Sequence, residues 1–143
     1  MKKRVKQILF ICKHNRFRSK VAEALFKKYN KNKKIKVKSA GTSPDYILVA
    51  KNVTKVLKVL GANKINRKPK KINQELIDDS DLIVIVANNI NKKELGDIKG
   101  KKIIIWKIKD TSQHDYLGIL KRANLIEKRI KKLVSMLKCA RIA

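Results

Sequence analysis

Acidic residues are scarce in this chain. Eleven Asp and Glu stand against thirty-eight Lys and Arg, and the 143 residues carry a formal net charge of +27. Such a balance favours polyanions, acidic surfaces or anionic substrates. Aromatics make up only 5%, and no recognisable nucleic-acid module or stacking platform accompanies the charge. The lysines run from Lys2 to Lys138 in the manner of a solvated coat, so nucleic acid stays open as a partner class without being favoured. Two cysteines, Cys12 and Cys139, do not make the framework of a small disulfide-rich secreted domain. No apolar run reaches the roughly 18 residues of a membrane span, so no membrane partner is expected. The start, MKKRVKQILFIC, is basic and then apolar, but its apolar part is short and is followed by Lys13 and His14 rather than by small cleavage-site residues. A cytoplasmic location is therefore expected. No repeat, low-complexity segment or linker interrupts the chain, and its length suits one domain over residues 1–143.

What is present alternates between strand-like and helix-like segments, which predicts an α/β fold with a parallel sheet and helices on both faces. Residues 5–12 read as the first strand, in which Ile8, Leu9, Phe10 and Ile11 form a continuous apolar run, as in a strand buried on both sides. Residues 19–30 follow as a helix with Val21, Ala22, Leu25 and Phe26 on one face. Residues 34–42 alternate Ile35, Val37 and Ser39 with lysines and suit a more exposed edge strand. A turn with Pro44 as breaker leads to a helix over 47–61 with Val49, Val53, Val56, Leu57 and Leu60 inward, stopped by Gly61. A basic loop and short helix fill 66–81. Strands are expected over 82–88 and 101–108, with a polar excursion between them. A long final helix over 117–139 carries the stripe Leu120, Ala123, Ile126, Ile130, Leu133 and Leu137. In open parallel sheets, ligands sit beyond the carboxyl ends of the strands. Three polar loops converge there: 12–19, 39–44 and 108–115.

The first of these loops carries the chemistry. A cysteine that ends a buried strand is often a small inert hydrophobe. The setting of Cys12 points elsewhere. The amides of a short loop feeding a helix N-terminus can turn inward as a nest for a tetrahedral anion, helped by the helix dipole. Arg18 would add a planar fork that holds two phosphate oxygens at once. A helix N-terminus with an arginine beside it favours a thiolate over a thiol, and Ser19 could donate its hydroxyl to that thiolate. Asn15 is, after Gly, the residue type best able to take the left-handed conformation a tight cradle needs. Lys13, His14 and Arg16 make the rim more positive, and Phe17 completes the loop. His14 is read as rim polarity rather than as a catalyst.

The stretch Cys12, Lys13, His14, Asn15, Arg16, Phe17, Arg18, Ser19, followed by Ala22 and Glu23, resembles the phosphate-binding loop of the low-molecular-weight protein tyrosine phosphatase family, which includes thiol-dependent arsenate reductases. That loop reads Cys, any, Gly, Asn, any, any, Arg, Ser. The segment SAGT at 39–42 and a strand ending in Trp106 followed by Asp110 match the family in the same order. The resemblance implies a four-stranded parallel sheet in the order 2-1-3-4. It also implies no cofactor and no metal. Three departures stand out: His14 replaces the glycine, Thr111 follows Asp110 where the family usually has Pro, and the tyrosines after the acid are absent unless Tyr116 substitutes.

The implied reaction is phosphomonoester hydrolysis of the protein tyrosine phosphatase type. Cys12 would form a phosphocysteine, Arg18 and the loop from Lys13 to Phe17 with Ser19 would hold phosphate, and Asp110 would be the general acid. Substrates would be a phosphorylated protein or a small aryl phosphate, with inorganic phosphate or other oxyanions as inhibitors. Asp115 is the second candidate for the acid and Asp45 a weaker third. Tyr46 and Tyr116 could line an aromatic cleft or simply be packed. Arsenate reduction in the same loop is the alternative; against it, no cysteine follows the third strand, and only Cys139 could serve as a resolving thiol. The other alternative is a non-catalytic basic phosphate-binding module.

Overall fold

A computed structural model describes residues 4–62 and 65–142, with side chains as far as Lys138. The segment Gln7–Cys12 forms β1, buried along its whole length. It is central because both its edges are taken. On one side it pairs in parallel with β2 (Lys36–Gly41), Ile8 opposite Val37 and Cys12 opposite Gly41. On the other it pairs with β3 (Leu82–Val86), Ile8 opposite Leu82 and Ile11 opposite Ile85. β3 then pairs with β4 (Lys102–Trp106), which ends with Val86 opposite Trp106. The order is 2-1-3-4 and every pairing is parallel, as expected.

Alternate residues of the central strands serve two cores. Ile8, Phe10, Leu82, Val84 and Val86 face a larger core made with α1 (Arg18–Tyr29), α2 (Lys51–Val59) and α4 (Tyr116–Ile142). Val21, Ala22, Leu25 and Phe26 of α1 are all buried there. Leu9, Ile11, Cys12, Ile83 and Ile85 face a thinner layer of α3 (Gln74–Asp79) and a 3-10 turn at Lys92–Leu95, through Ile77 and Leu95. The first core is deep because the long amphipathic α4 lies across it.

Some boundaries differ from the sequence expectation. The helix expected over 47–61 begins at Lys51: residues 47–50 have no regular structure, Ala50 is extended, and Ile47 and Leu48 are exposed. Val49 nevertheless reaches the core from that irregular segment. On α4 the buried stripe runs through Ile119, Ala123, Ile126, Ile130, Leu133 and Val134, while Leu120 and Leu137 sit at its margin. The side chain of Cys139 lies outside the described residues. No described helix is long and apolar enough to cross a membrane.

Candidate functional site

The register that sets Cys12 opposite Gly41 brings two loops together beyond the sheet. Thr42 N–H donates to Cys12 O at 3.1 Å and Ser43 N–H to Lys13 O at 2.8 Å, so the SAGT segment continues the strand pairing into the cysteine loop. A Cβ on Gly41 would lie 2.7 Å from Lys13 O and 2.9 Å from Asn15 N. Only glycine fits this close approach. His14, at the resembled family's glycine position, has no left-handed backbone: among described non-glycine residues only Asn15 (φ 55°) and Tyr46 (φ 61°) do. The imidazole turns to the rim, with Nδ1 2.9 Å from Ser43 O.

Asn15 takes the left-handed conformation the sequence predicts, and the turn aims its N–H at Cys12 Sγ, 3.3 Å away. Its fully buried side chain braces the cradle from beneath. Nδ2 donates to Ser19 Oγ at 2.7 Å and to Ser39 Oγ at 3.1 Å, while Oδ1 accepts from Lys70 N at 2.9 Å. Ser39 passes its own hydrogen to Glu23 Oε1 at 2.7 Å. Ser19 Oγ, already accepting from Asn15, lies 2.9 Å from Cys12 Sγ and can give that sulfur its hydrogen. The Asn15 amide and the Ser19 hydroxyl thus converge on a buried sulfur.

Arg18, at the first turn of α1, is 1% exposed. Its Nη1 donates to Ile108 O at 2.9 Å and to Asn89 Oδ1 at 3.2 Å. Its Nη2 lies 3.7 Å from Asp110 Oδ2. No hydrogen bond among the described residues engages its Nε, so one edge of the fork is tethered and the other is open. Asn89 and the Ile108 carbonyl were not singled out from sequence. They lie 71 and 90 positions away from Arg18, and no local pattern announces them.

Cys12, His14, Arg16, Phe17, Arg18, Asp110, Thr111, Ser112 and Gln113 line a cavity of about 220 Å³. The cysteine loop and the loop after β4 therefore meet as expected. Lys13, Asn15 and Ser19 do not line it: Asn15 and Ser19 are buried behind the cysteine. Asp110 opens to solvent, and its Oδ1 accepts from Thr111 N at 2.9 Å. The other acid candidates lie elsewhere. Asp115 Oδ1 accepts from Gly118 N at 2.9 Å at the start of α4, and Oδ2 from the Thr111 hydroxyl at 3.0 Å. The Gly118 amide first, and the Thr111 hydroxyl next, hold its carboxyl below the usual range. Asp45 pairs with Arg16 at 2.7 Å. Burial works against its charge, but the Ile47 amide and Arg16 outweigh it and keep the carboxyl low. Neither tyrosine lines the cavity. Tyr46 is mostly exposed and Tyr116 packs against the larger core. Among the described residues no cluster of His, Cys, Asp and Glu has the make-up of a metal site.

The family model described as low molecular weight phosphotyrosine protein phosphatase matches residues 7–141. An arsenate reductase from Archaeoglobus fulgidus DSM 4304 is 32% identical over 90% of this chain and 98% of that one, with a TM-score of 0.74. The YwlE arginine phosphatase from Geobacillus stearothermophilus is 21% identical over 95% of each chain, with a TM-score of 0.82. A low molecular weight protein tyrosine phosphatase from T. tengcongensis is 23% identical over 91% of this chain and 98% of that one, with a TM-score of 0.78. At these identities the last two share the fold.

Proposed function

The chain belongs to the low molecular weight phosphotyrosine protein phosphatase family, and we propose that it hydrolyses phosphomonoesters through a phosphocysteine intermediate on Cys12. One observation carries the reading. Cys12 Sγ, with Ser19 Oγ at 2.9 Å and Asn15 N at 3.3 Å, lines the same cavity as the open edge of Arg18 and the Asp110 carboxylate.

The thiolate of Cys12 attacks phosphorus while the bond to the leaving oxygen breaks. Arg18 Nε and Nη2 and the inward loop amides match the equatorial oxygens best when they flatten in the transition state, which is where binding accelerates a reaction. Asp110 delivers its proton to the leaving oxygen and then takes one from the water that cleaves the P–S bond. The departing thiolate is received by Ser19 and Asn15 N–H. Two easier displacements replace one hard one. A reducing cytoplasm suits a free reactive thiol. Phosphorylated proteins and small aryl phosphates are the substrates proposed, with phosphate and other oxyanions as inhibitors. Hydrolysis of an aryl phosphate by wild type and by Cys12→Ser is the test. Activity confined to wild type is expected. An inactive wild type that still binds phosphate would favour the non-catalytic module instead, and a Cys12→Ser protein at the wild-type rate would remove Cys12 from the chemistry.

A second reading is arsenate reduction, favoured by the 32% identity to the Archaeoglobus fulgidus arsenate reductase. Turnover would then need a thiol from outside the cradle. The segment after β3, ANNINKKEL, has no cysteine, so an external thioredoxin or glutaredoxin is the natural donor. Arsenate-dependent consumption of reducing equivalents with either would establish this reading, and none with both would remove it.

A further inference from the structure

In the first turns of α1, two residues after Arg18, Lys20 is 1% exposed. A buried ammonium needs acceptors for its three hydrogens. The described contacts provide one hydrogen-bond acceptor, Lys68 O at 3.0 Å. Lys20 lines a second, separate cavity of about 170 Å³, whose polar walls are Lys20, Lys27, Lys70, Glu23, Ser39 and Asn66. Its one carboxylate is already engaged: Glu23 Oε1 accepts from Ser39, and Oε2 lies 3.5 Å from Lys27. Three ammonium groups thus face one committed carboxylate. Burial pushes the Lys20 amine below its usual range, with the neighbouring Lys70 adding to the effect and Glu23 opposing it. An anion in the pocket would supply the missing acceptors and offset the repulsion.

We infer that this pocket is a second oxyanion site, which takes a phosphate-sized tetrahedral anion on Lys20, Lys27 and Lys70. The site goes beyond the proposed hydrolysis and does not depend on it. It is wired to the cradle through residue 70: the Lys70 carbonyl accepts from Gly41 N at 2.8 Å, and Lys70 N–H holds Asn15 Oδ1 at 2.9 Å. An anion that draws Lys70 toward Lys20 tightens the bracing of Asn15, and through it the amide aimed at Cys12 Sγ. The phosphate that a phosphatase releases is one anion of the right class.

The test is a titration of isotopically labelled wild type with inorganic phosphate at constant ionic strength, followed by backbone amide NMR shifts. The expected result is two saturable sets of shifts, one over 12–18 and one over 65–70. Lys20→Met should abolish the second set and leave the first. Its thermal stability should equal or exceed that of wild type, because an apolar isostere of a buried charge is often neutral or stabilising. Lys27→Met, a substitution at a more exposed position, should weaken the second set by roughly tenfold in affinity. Arg18→Met should do the converse and remove only the first set. A second set that survives both Lys20→Met and Lys27→Met would overturn the site. So would unsaturable shifts spread over surface lysines with none confined to 65–70. Loss of the 12–18 set alone in wild type would instead count against the catalytic reading.

Discussion

The two walls of the cavity differ in how firmly they are held. On the cradle side Cys12, Asn15, Arg18 and Ser19 are all buried, and five hydrogen bonds among Asn15, Ser19, Ser39, Lys70 and Cys12 fix the loop. On the facing side the Asp110 side chain is 40% exposed and accepts one hydrogen bond, from the amide next to it. The difference follows from what each wall must do. Electrostatic stabilisation of a transition state needs dipoles that do not reorganise. A group that gives a proton in one step and takes one from water in the next needs access to both. Arg18 touches both walls, since its Nη1 holds Ile108 O just ahead of the acid.

If the cradle is the rigid wall, losing it should have the larger effect. Cys12→Ser should lower kcat for an aryl phosphate by on the order of 10⁴-fold or more, with circular dichroism unchanged. Arg18→Lys keeps a charge but loses the fork and both tethers, and should lower kcat/KM by roughly 10³-fold. A loss under tenfold would mean that the loop amides alone hold phosphate. Asp110→Asn should lower kcat by roughly 10²-fold, and more for alkyl than for nitrophenyl leaving groups, because a good leaving group needs no proton. Equal losses on both would deny Asp110 the role of acid.

Stability sharpens the same contrast. Asn15→Ala must place alanine at φ 55° and strands the Lys70 amide and Ser39, a loss of about 2–4 kcal/mol in denaturant unfolding. Asp115→Ala should leave kcat within about twofold of wild type while lowering stability at neutral pH. The Asp115 carboxyl is depressed in the fold, so its contribution is present above the ordinary carboxyl value and is lost as pH falls through the lower folded value. The gap between wild type and Asp115→Ala should therefore close in acid. A gap that widens in acid would contradict the capping role.

Much of this was legible in the residues because the signals are local or repeat along the chain. The apolar run of β1, the alternation in β2 and the stripe of α4 each bury a face that only a sheet flanked by helices can cover. Asn15 could be assigned its left-handed backbone from residue type and place alone. What stayed hidden depends on contacts far apart in sequence. Glycine was to be expected at position 14, yet the close approach that demands it is at Gly41, whose missing Cβ makes room for Lys13 O. The tether of Arg18 to Asn89 joins the ends of two non-adjacent segments. The start of α2 differs from the expectation because Ile47 and Leu48 have helix-compatible apolar side chains but stay exposed on an irregular segment ahead of it. Lys20 reads in sequence as one more surface lysine, and only the fold shows it buried.

The central claim is that the sulfur of Cys12 carries the phosphoryl group. Rapid acid quench of Asp110→Asn turning over a radiolabelled nitrophenyl phosphate, whose leaving group needs no proton, followed by peptide mapping, tests it most directly. The slowed second step should let a phosphoenzyme accumulate, acid-stable enough to map to the Cys12 sulfur within the peptide containing residues 12–18. Turnover without any labelled enzyme, or label on a residue other than Cys12, would contradict the account.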